Sequence, residues 1–333
     1  MNKILVLGGA GFIGYHLANS LSKDIHNEIH ILDSLTRGVK DILFNELIKK
    51  PNIKFYEINL MDRNVLDELG TSYNYIYNLA AIVGVKHVLE KPYNVLTENF
   101  LMTYNSIEFA KKQKNLYRYI FSSTSEVNIG SLQYLNLQFP TPEDFPLALT
   151  NLANPRTSYM LSKIYGETLC HHSGLDYIIF RPHNVYGPRM GLSHVIPEIM
   201  MKISNLSKNS EIEIVNPDHK RSFCYISDAV KMMINLSSNK ALNKETLNLG
   251  NQNEEIAIKD LVDIIIEIAN RKDLIIKYND IESSGSPKRR VPKMDKLNKY
   301  FNYQPEISIR EGCEKIFNWY TRYIFSNQTK SAN

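Results

Sequence analysis

Four glycines in the stretch Gly8-Gly9-Ala10-Gly11-Phe12-Ile13-Gly14 separate the apolar run Ile4-Leu5-Val6-Leu7 from an apolar-rich segment that extends to about Leu21. The run reads as a short buried strand and the segment as a helix. A glycine-rich turn between a first strand and a first helix lets the backbone approach a ligand closely. The N–H groups at the start of such a helix hold anions, and Gly8, Gly11 and Gly14 are spaced to take the diphosphate of a dinucleotide.

The first half of the chain repeats this alternation. Further strands are expected at Ile29–Leu32 (ending at Asp33), Ile53–Ile58, Tyr75–Leu79, Tyr117–Phe121 and Tyr177–Phe180, with helices near 93–113 and 156–173. Short apolar runs separated by helix-length segments predict an α/β fold with a Rossmann-type doubly wound parallel sheet. After Arg181-Pro182 the pattern changes. Residues 183–222 read as irregular apart from a helix near 195–206. A strand is expected at Leu247–Leu249, helices at Ile258–Ala269 and Ile309–Tyr320, and a polar loop over 280–295. The expected organisation is a dinucleotide-binding domain over 1–182 with return segments near 223–252. A smaller mixed α/β substrate-binding lobe takes 183–222 and 253–325, and a polar tail takes 326–333.

Charge and cysteine content narrow the function classes. The 333 residues carry a net charge of +4 with the charges dispersed, and the basic spots Lys111-Lys112 and Lys288-Arg289-Arg290 are small. A nucleic-acid binder shows a broader basic stripe. Three scattered cysteines, Cys170, Cys224 and Cys313, match neither a disulfide framework nor a metal spacing, so a reducing, cytoplasmic setting is expected. His171 and His172 lack acidic partners at ligand spacing, and no metal is expected there. No apolar run reaches the length of a membrane span, and with an apolar strand expected from the first residues no signal segment is expected.

Asp33 stands where a carboxylate accepts hydrogen bonds from the adenosine ribose, which favours NAD over NADP by repelling a 2′-phosphate. Arg37 lies close enough to offset part of that repulsion. Ala80 and Ala81 follow the fourth strand and give the dinucleotide close access to the backbone. Asn99, in a predicted helix, is placed to fix a strand end. Tyr159 and Lys163 fall on one helix face. A lysine ammonium beside the tyrosine oxygen would lower its pKa from about 10 and let it act as a base toward a sugar hydroxyl. Thr124, in the strand-end cluster Ser122-Ser123-Thr124-Ser125, would orient that hydroxyl. Glu126 would act as acid or base at the next carbon or bind a sugar hydroxyl. His183, Asn184, Tyr186 and Arg189 follow the sixth strand, where a second ligand would meet the cofactor. Arg221 and Arg290 have the forked guanidinium that suits a diphosphate.

These segments together resemble the extended short-chain dehydrogenase/reductase family, and within it the nucleotide-sugar epimerases, dehydratases and decarboxylases. The resemblance covers Gly8 to Trp319. It rests on the glycine turn, Ser123-Thr124-Ser125-Glu126-Val127, Tyr159-Met160-Leu161-Ser162-Lys163, and Arg181-Pro182-His183-Asn184-Val185-Tyr186-Gly187-Pro188-Arg189. It implies NAD as cofactor and an NDP-sugar as substrate, oxidised transiently at C4, with a homodimer joined by the helices near 93–113 and 156–173. The residues it implies around the cofactor are Gly8, Gly11, Phe12, Ile13, Gly14, Asp33, Asn59, Leu60, Leu79, Ala80, Ala81, Asn99, Ser122, Tyr159 and Lys163. Around the substrate it implies Val83, Thr124, Ser125, Glu126, Asn184, Arg189, Val195, Arg221 and Arg290, with Thr124, Tyr159, Lys163 and Glu126 catalytic.

The departures bear on the reaction. Ser125 stands where the family's dehydratases carry Asp, which argues against a 4,6-dehydratase. Thr124-Ser125-Glu126-Val127 and Arg221-Ser222-Phe223 resemble uronate decarboxylases, whereas Ala80 to Val85 is closer to epimerases. Val127-Asn128-Ile129-Gly130 replaces the usual Val-Tyr-Gly. The reading favoured from sequence is an NDP-hexose epimerase working through a 4-keto sugar. The alternatives are an NDP-uronate decarboxylase, a 4-dehydrogenase that releases the keto sugar, and a non-enzymatic nucleotide-binding regulator.

Overall fold

A computed structural model of the chain describes residues 1–281 and 287–325, apart from the side chain of Val85. The polar tail at 326–333 and part of the loop expected over 280–295 lie outside the described residues.

Seven strands form one sheet: β1 (Asn2–Leu7), β2 (Asn27–Asp33), β3 (Ile53–Glu57), β4 (Tyr75–Asn78), β5 (Arg118–Ser122), β6 (Tyr177–Pro182) and a returning strand, Glu245–Leu249. Their spatial order is returning strand, β6, β5, β4, β1, β2, β3, with every neighbouring pair parallel. The expected Rossmann-type sheet is therefore present. Successive residues point to opposite faces, and both faces are covered. Ile4, Val6, Ile178 and Phe180 join one apolar cluster, while Leu5, Leu7, Tyr177 and Ile179 join the other. Strands buried on both sides read as unbroken apolar runs, which is why they were legible. The strand order reverses between β1 and β4, the point beyond whose carboxyl ends a doubly wound sheet takes its ligand.

Two long helices cover one face. Helix Pro92–Lys111 starts with proline in its first turn. Helix Pro155–His172 also starts with proline, and the Asn154 side chain accepts from the Arg156 N–H at 3.0 Å. This cap and proline define the start of the helix that carries Tyr159. A Cβ on Gly166 would run into the Phe121 ring, so this helix lies directly against β5.

The smaller lobe is more regular than its sequence suggests. Besides helix Val195–Asn205, strand Glu211–Val215 pairs in parallel with Ile275–Asn279. Strand Lys220–Ser222 lies between Glu255–Ala257, antiparallel, and Arg289–Arg290, parallel. Only Ile212 and Ile214 of the first strand are buried, and its partner lies far along the chain, so no local apolar run announces it. Helix Ile226–Ser238 was likewise unexpected within the return segment. No described helix is long and apolar enough to cross a membrane.

A buried ion pair ties these parts together. Glu167, on helix Pro155–His172, accepts from Arg181 Nε at 2.9 Å and Nη2 at 2.7 Å, and both side chains are nearly fully buried. Ser123 Oγ donates to the same carboxylate at 2.5 Å. Arg181 Nη1 donates to the Glu143 carbonyl at 2.9 Å. Removing one partner of such a pair strands a buried charge, which destabilises by about 3–5 kcal/mol. Glu167→Ala is therefore expected to lower the urea midpoint strongly. A midpoint within error of the unaltered chain would contradict this.

Candidate active site

The ends of β1 and β4 meet with only backbone between them. Gly8 leaves β1 with φ of +78°, and a Cβ there would lie 2.8 Å from N and Cα of Ala80. A methyl on Gly14 would run into the Gly8 carbonyl oxygen. Gly11 is the N-cap of helix Phe12–Leu21, and no side chain caps it, so the N–H groups of the first turn are left for an anion. Asp33, at the end of β2, accepts from the Ala10 N–H at 3.0 Å and the Leu35 N–H at 2.9 Å. Burial raises its pKa, and those backbone donors oppose the rise. Gly38 crowds it so closely that a Cβ would lie 2.6 Å from Asp33 Oδ1. An uncapped helix start, a backbone cradle without side chains and a fixed carboxylate fit a dinucleotide.

The loop after β4 is pinned by Asn99, which bonds Ile82 within the loop rather than the strand end at Asn78. Its Oδ1 accepts from the Ile82 N–H at 2.7 Å, and its Nδ2 donates to the Ile82 carbonyl at 3.0 Å and to Ser162 Oγ at 3.2 Å. Asn99 is buried and acts on the loop that carries Ala80, Ala81 and Val83. Val83 itself is exposed. Leu79 and Leu60 pack on the core, whereas Asn59 is exposed and accepts from the Met61 N–H at 3.0 Å.

Thr124, Glu126 and Tyr159 come together at the end of β5. Thr124 Oγ1 accepts from the Glu126 N–H at 3.2 Å and starts the short helical turn Ser125–Asn128, in which Ser125 is buried. Tyr159 is buried, and its pKa is pushed above the ordinary tyrosine value, first by burial and then by Glu126. The Thr124 hydroxyl and Arg37 pull it the other way. This corrects the expectation of a tyrosine acidified by Lys163. Lys163 Nζ instead donates to the Ser122 carbonyl at 2.8 Å and lies over the Phe121 ring. Burial lowers its own pKa to about 8. The cation that acts on Tyr159 comes from the loop after β2. Desolvation, with a smaller contribution from the same Arg37, lowers the pKa of His194, and Glu126 opposes that shift. His194 is the N-cap of helix Val195–Asn205, where Val195 is half-buried.

The substrate-side arginines divide. Arg221 and Arg290 are partners in the parallel pairing of their strands. Burial and then the charge of Arg290 lower the Arg221 pKa to about 10, so two like charges are held side by side. Arg189 is used differently. Its Nε donates to Asp41 at 2.7 Å, its Nη2 donates to the Val39 carbonyl at 2.9 Å, and its guanidinium lies 4.1 Å from the Tyr15 ring centroid. The structure thus places Arg189 as a clamp on the loop after β2. Asn184, at φ of +42°, donates to the Ser222 carbonyl at 2.9 Å and holds the Arg221 strand against the loop after β6. His183 is buried on Asn248 at 3.0 Å, with burial lowering its pKa to about 3. Tyr186 is buried as well. His171 contacts the Tyr177 hydroxyl at 2.6 Å, and no metal-ligating cluster of three or more side chains occurs among the described residues.

Sequence reasoning missed Gly38, Gly84, His194 and the reach of Arg37 toward Tyr159. Gly38 and Gly84 were visible as glycines in loops. What they accommodate depends on loops that meet only in the fold.

The comparisons with known proteins agree with this geometry. Residues 4–250 match the NAD dependent epimerase/dehydratase family. The chain belongs to that family. A UDP-N-acetyl-alpha-D-glucosaminuronate decarboxylase from Bacillus cytotoxicus is 31% identical, over 96% of this chain and 97% of its own. A putative UDP-glucose 4-epimerase from Methanocaldococcus jannaschii is 30% identical, over 95% and 97%. The crystal structure of a UDP-glucose 4-epimerase with UDP-glucose from Thermotoga maritima shares the fold with a TM-score of 0.81 at 23% identity, over 96% of this chain and 99% of that one.

Lys163 gives this site a pH signature. Its pKa is about 8 in the folded chain against an ordinary value of 10.5. Between these values the unfolded chain binds the proton that the folded chain has released. Stability from this group therefore rises with pH across that window and is lost as pH falls through about 8. The unaltered chain is expected to gain about 1–2 kcal/mol on Lys163→Met as the pH of urea titrations is raised from below 8 toward 10. Parallel pH profiles for the two proteins would contradict this.

Proposed function

We propose that this chain binds NAD and an NDP-sugar, oxidises the sugar at C4, and releases the C5 carboxylate of an NDP-uronate as CO2. The observation that carries the proposal is the position of Glu126 against the Thr124–Tyr159 pair. Loss of CO2 from a 4-keto uronate leaves an enolate that must regain a proton at C5, so a second proton-transfer group beside Tyr159 has a task. Inversion at C4 needs no such group. Thr124-Ser125-Glu126 and Arg221-Ser222-Phe223 point the same way, as does the decarboxylase named among the relatives. This reorders the two leading readings from sequence, where the epimerase came first.

Bound NAD would supply the hydride acceptor and donor at C4. The first-turn N–H groups of helix Phe12–Leu21 would hold its diphosphate, and Asp33 its adenosine ribose. Burial and Glu126 hold the Tyr159 pKa high, so it would take the C4 hydroxyl proton, with Thr124 aligning that hydroxyl, once the positive charge of bound NAD joins Arg37 in lowering it. Lys163 donates to the Ser122 carbonyl at the end of β5, and would be the residue to meet the ribose of a bound cofactor. Arg221 and Arg290 hold the substrate diphosphate, whose charge relieves their mutual repulsion. The three cysteines are buried and unpaired, which suits the reducing, cytoplasmic setting expected for this chemistry.

The decisive assay follows NDP-uronates labelled with carbon-13 at C6. The proposal predicts labelled CO2 and an NDP-pentose. An isomer of unchanged mass would establish the second reading, a 4-epimerase, which is favoured by the Ala80–Val85 loop and the epimerase named among the relatives. Tyr159→Phe is expected to lower kcat by about 10²–10⁴-fold while NAD content is retained. Unchanged turnover would remove Tyr159 from the base role.

The partner is a second copy of the chain. On helix Pro92–Lys111 the side chains of Leu101 and Tyr104 are exposed. Phe100 lies parallel to Tyr104 and packs at a tilt against Tyr165 of helix Pro155–His172. Such a ridge is suited to burial in a two-helix interface. Light scattering is expected to give a dimer for the unaltered chain and a monomer for Leu101→Glu/Tyr104→Glu. A dimer in both would contradict it.

A further inference from the structure

Asn105 is a buried amide that the chemistry above does not use. It lies on helix Pro92–Lys111. Its Nδ2 donates to two successive carbonyls of the loop after β3, Leu60 at 2.9 Å and Met61 at 3.2 Å. Both protons of the amide nitrogen are thus committed to one turn. That turn is also closed from within. Asn59 Oδ1 accepts from the Met61 N–H at 3.0 Å, and the Asn59 carbonyl accepts from the Asp62 N–H at 3.0 Å. The Leu60 side chain is buried in the apolar cluster that holds Leu7 and Leu32.

This turn adjoins the cofactor carboxylate. The Ile58 N–H donates to the Asp33 carbonyl at 3.1 Å, so the chain enters the turn directly alongside Asp33. β3 lies outside β2 in the sheet, on the side away from β1 and its glycine turn. A dinucleotide with its diphosphate at the start of helix Phe12–Leu21 and its ribose on Asp33 carries its base on toward this turn. The Leu60 and Met61 carbonyls are occupied by Asn105, whereas the N–H groups of Asn59 and Leu60 have no partner among the described residues. The turn therefore offers donors, and the edge of adenine offers an acceptor at N1. We propose that Asn105 is the positioning residue for the cofactor base: by holding the two carbonyls it presents the N–H donors of this turn to adenine. This inference rests on the NAD reading of the preceding subsection. It adds which buried group, outside the cofactor loops themselves, sets recognition of the base.

The test is calorimetric titration of the whole chain, freed of bound dinucleotide, with NAD and with nicotinamide hypoxanthine dinucleotide. The two differ only at the base edge, where hypoxanthine carries N–H at N1 and leaves a facing donor unpaired. The unaltered chain is expected to bind NAD about tenfold or more tighter, the scale of one hydrogen bond. Asn105→Ala should weaken NAD binding by about tenfold and bring the two dinucleotides to within about twofold of each other. Asn105→Thr, close to asparagine in volume, should do the same, and it decides the matter if the alanine variant does not fold. An asparagine that only supports the fold would weaken both dinucleotides equally. Weakened binding with the preference for NAD intact therefore overturns the proposal, as does unchanged NAD affinity. Equal affinity of the unaltered chain for the two dinucleotides places the base elsewhere and overturns it too. No binding of either dinucleotide to the unaltered chain overturns the NAD reading itself.

Discussion

Arg181 is a cation inside the protein at the carboxyl end of β6, and it is tolerated there because Glu167 meets it with both carboxylate oxygens. The pair is as much a positioning device as a source of stability. Glu167 belongs to helix Pro155–His172, one turn beyond Lys163 and two beyond Tyr159. Its bonds to Arg181 of β6 and to Ser123 after β5 fix how that helix is rotated and how far it slides along the sheet. With Gly166 letting the helix lie against Phe121, Tyr159 has one place to be. A fully bonded buried pair suits such a role, since its strict geometry specifies more than its net energy provides.

From that fixed point the cleft is built by three loops of different origin. The turn after β1 brings backbone donors, and the loop after β4 is held by Asn99. The loop after β2 is held by Asp33 and by the Arg189–Asp41 pair. The last of these is the one that reaches furthest. Arg189 starts in the segment after β6 and fastens the β2 loop from across the cleft, so the cofactor side and the substrate side are linked through charge before any ligand arrives. Tyr159 then lies between a carboxylate that raises its pKa and a guanidinium that lowers it, and a ligand bearing charge will shift that balance.

Features carried by local pattern were legible from sequence. The strands buried on both faces, the glycine turn, Asp33 and the helical spacing of Tyr159 and Lys163 each follow from a short window of residues, and the family resemblance rests on them. Features made by tertiary pairing were not. Arg189 resembled a substrate ligand because nothing local points to Asp41. Lys163 was expected to acidify Tyr159 because helical spacing places both on one face, but spacing does not say that the ammonium turns to the Ser122 carbonyl. Arg37 was weighed only against a cofactor phosphate, since its approach to Gly84 needs two loops from different strands. Strand Glu211–Val215 was missed for the same reason: its partner is remote.

The central claim is that Tyr159 opens the reaction by taking a proton as hydrogen leaves C4 of a bound NDP-sugar. It is tested most directly with an NDP-uronate carrying deuterium at C4, in single turnovers of the NAD-loaded protein. The account predicts a primary isotope effect on the appearance of the keto sugar and recovery of the label at C4 of the product. Product formed without an isotope effect and with solvent hydrogen at C4 would contradict it.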